Sequence, residues 1–575
     1  MLALLPLLLT LAPQDASSTS TLADEELLAL YCASAEKIFV DPKDAALLAA
    51  LRLLDDRLAE LPVELQAEGQ VPPDAIPMVT RLFSGSKSLK VGISGEAMPG
   101  MPLPLFAQLA LPELSPGEAG EVAARVGRLM ELTGMPPTTF NADGLAQLPG
   151  PFPAWFGAHA GNFMVAVGKT SNPGVSLTDH GLPAGVEPTF IFRMDFARFF
   201  ELGMGFAEAY GGEEAAQLNE MLTLAGVDKL KMSVATGTDG ERRHMVTRMP
   251  GYAKAMRDAG TGPNGPMDAE LLRMIPQDAT WAFAGAVNVR GGLEMMLKMI
   301  EKNFGDAMGG ADPLDMLASM MGGVHLMNDV VGHIGSTGGI YASDTTGGGG
   351  FLSTVAFIEL SGADELYDAE ETIGGILNMI AGAQAKGYVQ VRYWERDGTD
   401  YQTLTFPGLP VPFEPTIAHA GNCLIVCATP STAVAAVAQA RSGSTSIMDN
   451  TRFTEQLPNG LDNAYSVTYF DAPRLIRDGY GATNLLCSAL ANATRSPSSP
   501  QRDAGIIIPG YHELMAGSKA TVALAWADGD DFIQHQQSDR SVLVSMASSF
   551  GFISSSPLLF VLPAIAVPAL MGKLE

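Results

Sequence analysis

Ten stretches of the chain alternate apolar and polar side chains, or run apolar for five to nine residues between turn signals. The first half holds "SLKVGIS", "LFAQLAL", "NFMVAVG", "TFIFRMD" and "DKLKMSVAT"; the second holds "GYVQVRYWE", "DYQTLTF", "CLIVCA", "AYSVTYF" and "KATVALAW". A period of two places one set of side chains on one face of a strand, so each stretch predicts a strand. "VQVRYWERDGTDYQTLTF" doubles back at Asp397-Gly398, which is hairpin chemistry. Helical periodicity appears in "SPGEAGEVAARVGRLMELTG", where Ser115 and Glu118 form a capping-box pattern and Gly134 ends the run. "GADELYDAEETIGGILNMIAGA" has the same spacing, and "DPKDAALLAALRLLDDRLAEL" predicts an amphipathic helix. "ARFFELGMGFAEAYGGEEAAQLNEMLTLAG" predicts two helices parted at Gly211-Gly212. Hairpins with alternating faces imply antiparallel pairing. The expected fold is α+β: mainly antiparallel sheets with helices packed on one face.

The pattern occurs twice. "AHAGN" stands at 158–162 and again at 418–422, and 419 − 159 gives an offset of 260. Val79 to Phe106 matches Val330 to Phe357 at 330 − 79 = 251. "FIFRMDFARFF" matches "SVTYFDAPRLI", setting Asp195 against Asp471 and Arg198 against Arg474 at an offset of 276. The turns "ATGTDGERRHM" and "LAWADGDDFIQ" set Asp239 against Asp528 at an offset of 289. The matches keep their order and the offsets rise, as they would after a duplication with small insertions. Two tandem α+β copies are expected at 28–255 and 280–540, joined by a Gly- and Pro-rich linker at 256–279.

Composition changes this picture in three ways. A net charge of −28 excludes the basic surface that nucleic acid needs. The uncharged apolar run Leu2–Ala12, followed by small polar residues, resembles a signal peptide over residues 1–18, so an exported, periplasmic or envelope location is expected. No charged residue lies between Arg540 and Lys573, so 541–575 reads as an apolar C-terminal tail in which 557–572 would make a membrane contact and tether the chain. Four cysteines are too few for a disulfide scaffold. Cys423 and Cys427 would share a strand face about 13 Å apart, at ~3.3 Å per residue, too far to bridge. Pairing of Cys32 with Cys487 is left open.

Candidate chemistry is sparse. H-E-x-x-H, G-x-S-x-G, Walker A and EF-hand patterns are absent from the sequence. The Ser84-Gly-Ser-Lys87 match to S-x-x-K lacks a K-T-G partner and reads as a loop. Low-specificity candidates for a binding role are His159 and His419 in the repeated pentapeptide, and the Asp195/Arg198 and Asp471/Arg474 pairs. Each has a plainer reading. Gly-Asn is turn chemistry, with the histidine bonded to a strand-end carbonyl. Asp-x-x-Arg after a strand is a helix cap with an arginine one turn on. His325, His333 and Asp329, and the acids at 528, 530 and 531, are weak metal patterns, so no metal and no cofactor are expected. Twenty-nine methionines fill cores or line adaptable apolar surfaces.

One segment adds a resemblance. "NCLIVCATPSTAVAAVAQARSGSTSIMDNTRFTEQLPNGLDNAYSVTYFDAPRLI" runs strand, helix, a "sI-x-x-N-x-x-F" step and a strand ending in Asp. In this order it resembles a domain-of-unknown-function family of bacterial exported proteins. That resemblance implies an exported location and carries over no catalytic residue. The reading taken forward is an exported, membrane-tethered, non-catalytic binding or scaffolding protein whose partner is a protein or an apolar ligand. A hydrolase with its site between the copies would require an asymmetric cluster of His, Asp and Ser. A carrier of an apolar ligand would show a deep Met-lined pocket.

Overall fold

In the computed structural model the chain divides into two units, one built mainly from residues 1–252 and the other mainly from 253–480 and 517–539. The structure describes residues 26–45, 48–49, 88–95, 105–111, 114–132, 135–149, 154–159, 161–167, 177, 180–198, 230–304, 313–348, 350–384, 386–411, 413–442, 445–457, 460–493 and 508–555. The signal-like stretch 1–18, the tether segment 557–572, the Ser84–Lys87 loop, most of the expected 41–61 helix and the helices expected at 199–226 lie outside the described residues. Among the described residues no helix is long and apolar enough to cross a membrane.

The first unit is an antiparallel sheet of nine described strands: β1 (Glu26–Cys32), β2 (Leu89–Gly95), β3 (Leu105–Leu111), β4 (Leu145–Leu148), β5 (Ala154–His159), β6 (Asn162–Val167), β7 (Glu187–Asp195), β8 (Lys231–Thr238) and β9 (Arg242–Met249). Pairing gives the order β4-β5-β6-β3-β2-β1-β7-β8-β9. Helix α1 (Pro116–Leu132) opens with the expected capping box: Glu118 N–H donates to Ser115 Oγ at 3.2 Å, and Ser115 N–H to Glu118 Oε2 at 2.9 Å. Its Ala119 and Ala123 pack on Phe156, Phe163 and Ala146 of the sheet, while Met164, Ala166 and Leu145 face the other way into a second cluster.

The second unit contains β10 (Ala279–Ala286), β11 (Ile334–Ser343), β12 (Thr354–Leu360), β13 (Gln390–Arg396), β14 (Thr399–Thr405), β15 (Thr416–Ala420), β16 (Cys423–Cys427), β17 (Ser466–Phe470), β18 (Thr521–Asp528) and β19 (Asp531–Asp539). All pairs are antiparallel, in the order β13-β14-β15-β16-β12-β11-β10-β17-β18-β19. By rank along the chain this is the order of the first unit with one strand, β13, added beyond β14. The predicted hairpin turn at Asp397-Gly398 is present, with φ of 54° and 67°.

Here the expectation of helices on one face is corrected. Helix α3 (Pro430–Ser442) buries Ala433, Ala436 and Val437 against Ala418, Cys423, Ile425 and Cys427. Helix α2 (Ala363–Gln384) meets the opposite face, where His419 projects. Along β16 Cys423, Ile425 and Cys427 are buried, while on the other face Leu424 is half-buried and Val426 exposed, so α2 covers that face only in part. Residues 256–279, expected as a linker, pack instead: Met267, Leu271, Leu272 and Ile275 belong to the second unit's core. All four cysteines are free thiols. Burial lifts Cys423 to about 11 and Cys427 to about 12, so both are apolar core groups rather than nucleophiles.

Candidate functional site

The Asp-x-x-Arg pairs are helix starts with different loads. Asp195 Oδ1 accepts from the Arg198 N–H at 3.0 Å, a capping bond, and Oδ2 meets Lys231 Nζ at 2.8 Å. Asp471 is buried at 4% exposure. Arg452 Nη1 donates to both its oxygens, at 2.8 and 3.1 Å, and Arg474 Nε stands 3.7 Å away. Arg474 also reaches Asp344 Oδ2 at 3.0 Å and donates to the Asp278 carbonyl. Burial pushes the Asp471 carboxyl up, and the two guanidinium groups oppose that push. The group ties the end of β17, helix α4 (Thr451–Thr454), helix α5 (Ala472–Ala493) and the chain before β10 into one latch. Both Asp471 oxygens accept from Arg452, and Arg474 is divided among Asp471, Asp344 and the Asp278 carbonyl, so the arrangement reads as a clamp for the fold.

The two pentapeptides both turn the chain, but not at the same residue. In the first unit His159 pairs with Asn162; in the second Ala420 pairs with Cys423. The second turn has moved one residue along the shared sequence, and its glycine keeps a positive φ in both cases, 80° at Gly161 and 61° at Gly421. Ala158 shares a face with Phe163 and Val165, as Ala418 does with Cys423 and Ile425, so the moved turn leaves the facing of the hairpin unchanged. Ala158 packs toward α1, so His159 points to the opposite face, where its Nδ1 lies 3.3 Å from the Asp143 carbonyl oxygen. His419 points toward α2. Its Nε2 is 3.0 Å from Glu370 Oε2, and its ring meets Tyr367 edge-on at 5.9 Å. Glu370 Oε2 also accepts from Gln402 Nε2 at 3.4 Å. The histidines therefore serve different purposes: one holds a strand-end carbonyl, the other pins a helix to the sheet. His419→Ala is expected to lower the stability of the second unit by about 1–3 kcal/mol, because Glu370 loses its nearest partner. His159→Ala should cost less than about 0.5 kcal/mol. Urea unfolding midpoints of both variants measure the contrast.

The expected weak metal patterns are accounted for locally: His325 N–H bonds Asp329 Oδ2 at 2.8 Å, closing a turn. Among the described residues no group of three or more His, Cys, Asp or Glu side chains is placed to hold a metal ion.

The structure assembles a site from residues that the sequence did not single out. In the first unit, the C-terminal end of α1, the segment 135–141 and the strands β4 and β5 enclose a cavity of about 430 Å³. Met130 and Met135, the prolines 136, 137 and 149, and Trp155 and Phe156 form its apolar wall. Thr138, Thr139, Asn141 and Gln147 supply neutral polar groups, and among the described residues no lining side chain is ionisable. The segment is fastened to α1: Thr138 N–H donates to Glu131 Oε1 at 2.8 Å, and Thr138 Oγ1 to the Gly127 carbonyl at 3.5 Å. Phe140 packs edge-on against Phe156 at 5.7 Å. No family model, curated protein or solved structure matches this chain.

None of His159, His419, Asp195, Arg198, Asp471 and Arg474 lines this cavity. The signal in the sequence is the proline pair of "MPPTTF", which cannot donate to a sheet ladder, together with the aromatic pair Trp155-Phe156 on β5.

Proposed function

We propose that the protein is an exported binding protein, made of two copies of one α+β folding unit, that holds an uncharged ligand or protein segment with both apolar and hydrogen-bonding groups in the cavity of its first unit. The observation that carries the ligand class is the wall itself. Apolar and aromatic side chains interleaved with neutral hydrogen-bonding groups suit binding, whereas acid–base chemistry requires titrating groups at the reacting atom. The volume lies within the range of small-ligand pockets, about 300–1,000 Å³.

Two sets of registers support the duplication. Met194 pairs with Met232; adding the sequence offsets 276 and 289 gives Phe470 with Thr521, which pair. Thr238 pairs with Arg243; adding 289 to each gives Ala527 with Phe532, which also pair. The offset of 251 does not transfer in this way. Ile93 with Ala107 would become Asp344 with Ile358, but Ile358 pairs with Gly338, beyond a bulge in β11. On this reading the copies kept their strand order and let the β2–β3 register drift. Export and the membrane tether rest on the signal-like and apolar terminal stretches of the sequence.

The test is titration of the full chain with N-phenyl-1-naphthylamine, an uncharged apolar dye. Saturable binding is expected, and Thr139→Trp, which plugs the mouth, should weaken it by about tenfold or more, ~1.4 kcal/mol, without lowering Tm. Dye binding that is absent, or unchanged by the plug, would remove the cavity from consideration.

A further inference from the structure

The cavity lies against the outermost strand of the first unit's sheet, and the second unit carries an additional strand at that position. The phase of each edge is fixed by its hydrogen bonds. In β4, Gly144 C=O accepts from Ala158 N–H at 3.1 Å, so its partner side is β5. Leu145 therefore turns its N–H and C=O outward, where both bond to Asn141: Leu145 N–H to Asn141 Oδ1 at 3.0 Å, and Asn141 N–H to Leu145 C=O at 2.8 Å. Gln147, two residues on, presents its N–H and C=O to the same outer side by the alternation of the strand. Gln147 is exposed and lines the cavity.

In β14, Leu404 N–H donates to Pro415 C=O at 2.9 Å, so Leu404 faces inward and Thr403 and Tyr401 face outward. There β13 covers them, with Arg392 opposite Thr403 and Trp394 opposite Tyr401. Trp394 stacks on Tyr401 with centroids 4.2 Å apart and planes at 10°, and its Nε1–H donates to Thr403 Oγ1 at 2.9 Å. The outer side of β13 is in turn closed by Asn378: Val391 N–H donates to its Oδ1 at 2.6 Å, and its Nδ2–H to Val391 C=O at 2.8 Å. The first unit thus completes half of the equivalent pairing with Asn141 and leaves the other half at Gln147, beside an aromatic, uncharged cavity.

From this we infer that the first unit binds an extended peptide as an added strand on β4, pairing its backbone with Gln147 and placing an aromatic side chain in the cavity as β13 places Trp394 on β14. The inference rests on the reading of the cavity as a ligand site and specifies the ligand. Backbone pairing at a sheet edge with a pocket for an alternate side chain is a general mode of peptide capture. The unionised wall selects a neutral aromatic or apolar residue at the pocket position, since a charge there would be desolvated without a partner.

The experiment uses the full chain and the uncharged peptide acetyl-Thr-Val-Thr-Trp-Thr-Val-Thr-amide, titrated calorimetrically beside the dye. Saturable binding is expected. N-methylation of one alternate set of amides should weaken binding by about tenfold or more, while methylation of the other set is tolerated, because only one set faces the strand. Gln147→Pro removes the outward N–H at an edge position that tolerates proline; because Gln147 also lines the cavity, the measure is the ratio, and peptide affinity should fall about tenfold or more beyond any loss of dye affinity. If the peptide fails to bind while the dye binds, or both methylated sets bind like the parent, strand addition is overturned and the cavity remains a small-ligand site. If neither probe binds, both readings fall.

Discussion

Asp471→Ala is expected to lower the stability of the second unit by about 2–4 kcal/mol. Three losses combine. The carboxylate accepts two bonds from Arg452, lies 3.7 Å from Arg474 Nε and caps the start of α5. Removing one member of a buried pair leaves the other's charge without compensation, an effect of about 3–5 kcal/mol when both are fully enclosed. Here Arg452 is 51% exposed and can turn to water, and Arg474 keeps Asp344, so the lower end of the range applies. Asp471→Asn retains an acceptor for the cap and should fall between Ala and the parent. Guanidinium unfolding followed by tryptophan fluorescence reads the effect, since Trp281 opens the strand beside the latch, directly opposite Phe470. An Asp471→Ala midpoint within experimental error of the parent would show that the ion pairs contribute nothing net.

Gly144→Ala should be at least as damaging to the first unit, by about 3–5 kcal/mol, and should abolish dye binding with it. Gly144 has φ of +79°, where a side chain is strained, and a Cβ there would overlap the Ala158 carbonyl oxygen. Its opposite number, Gly157, has the mirror problem, because a Cβ would overlap the Gly144 carbonyl oxygen. The two backbones therefore approach where β4 leaves β5, and no side chain can yield to relieve a clash between main-chain atoms. Gly161→Ala is the control: φ is +80° but nothing stands within 4 Å of a Cβ, so only about 1 kcal/mol of backbone strain is expected. Circular dichroism melts separate the two variants. Equal Tm losses at positions 144 and 161 would show that the close approach is not what the glycine serves.

Local chemistry made much of the fold legible. Alternation or an unbroken apolar run located all ten stretches read as strands, Ser115 and Glu118 marked a helix start, and Asp397-Gly398 marked a turn, because each signal is complete within a few residues. Register was hidden. The two AHAGN copies are identical in letters, yet their turns close one residue apart and their histidines meet different partners, and neither difference leaves a trace in composition. The partner of Asp471 was hidden for another reason: Arg452 lies nineteen residues upstream and meets it only through tertiary folding. Strand β4, "LAQL", is too short for periodicity to declare, and the cavity beside it is a space between elements, which no single segment encodes. The apolar run "CLIVC" does not report which faces are covered, since its Val426 stays exposed on the face that α2 meets only in part.

The side-chain amide of Asn378 closes the Val391 position of β13 with two hydrogen bonds, imitating a neighbouring strand. A bare row of main-chain donors and acceptors is a template for runaway association between molecules, and crowding makes it more dangerous. With one asparagine folded over it, the second unit's sheet is discouraged at that position from recruiting another chain, so a single amide guards the boundary between a finite protein and a fibre.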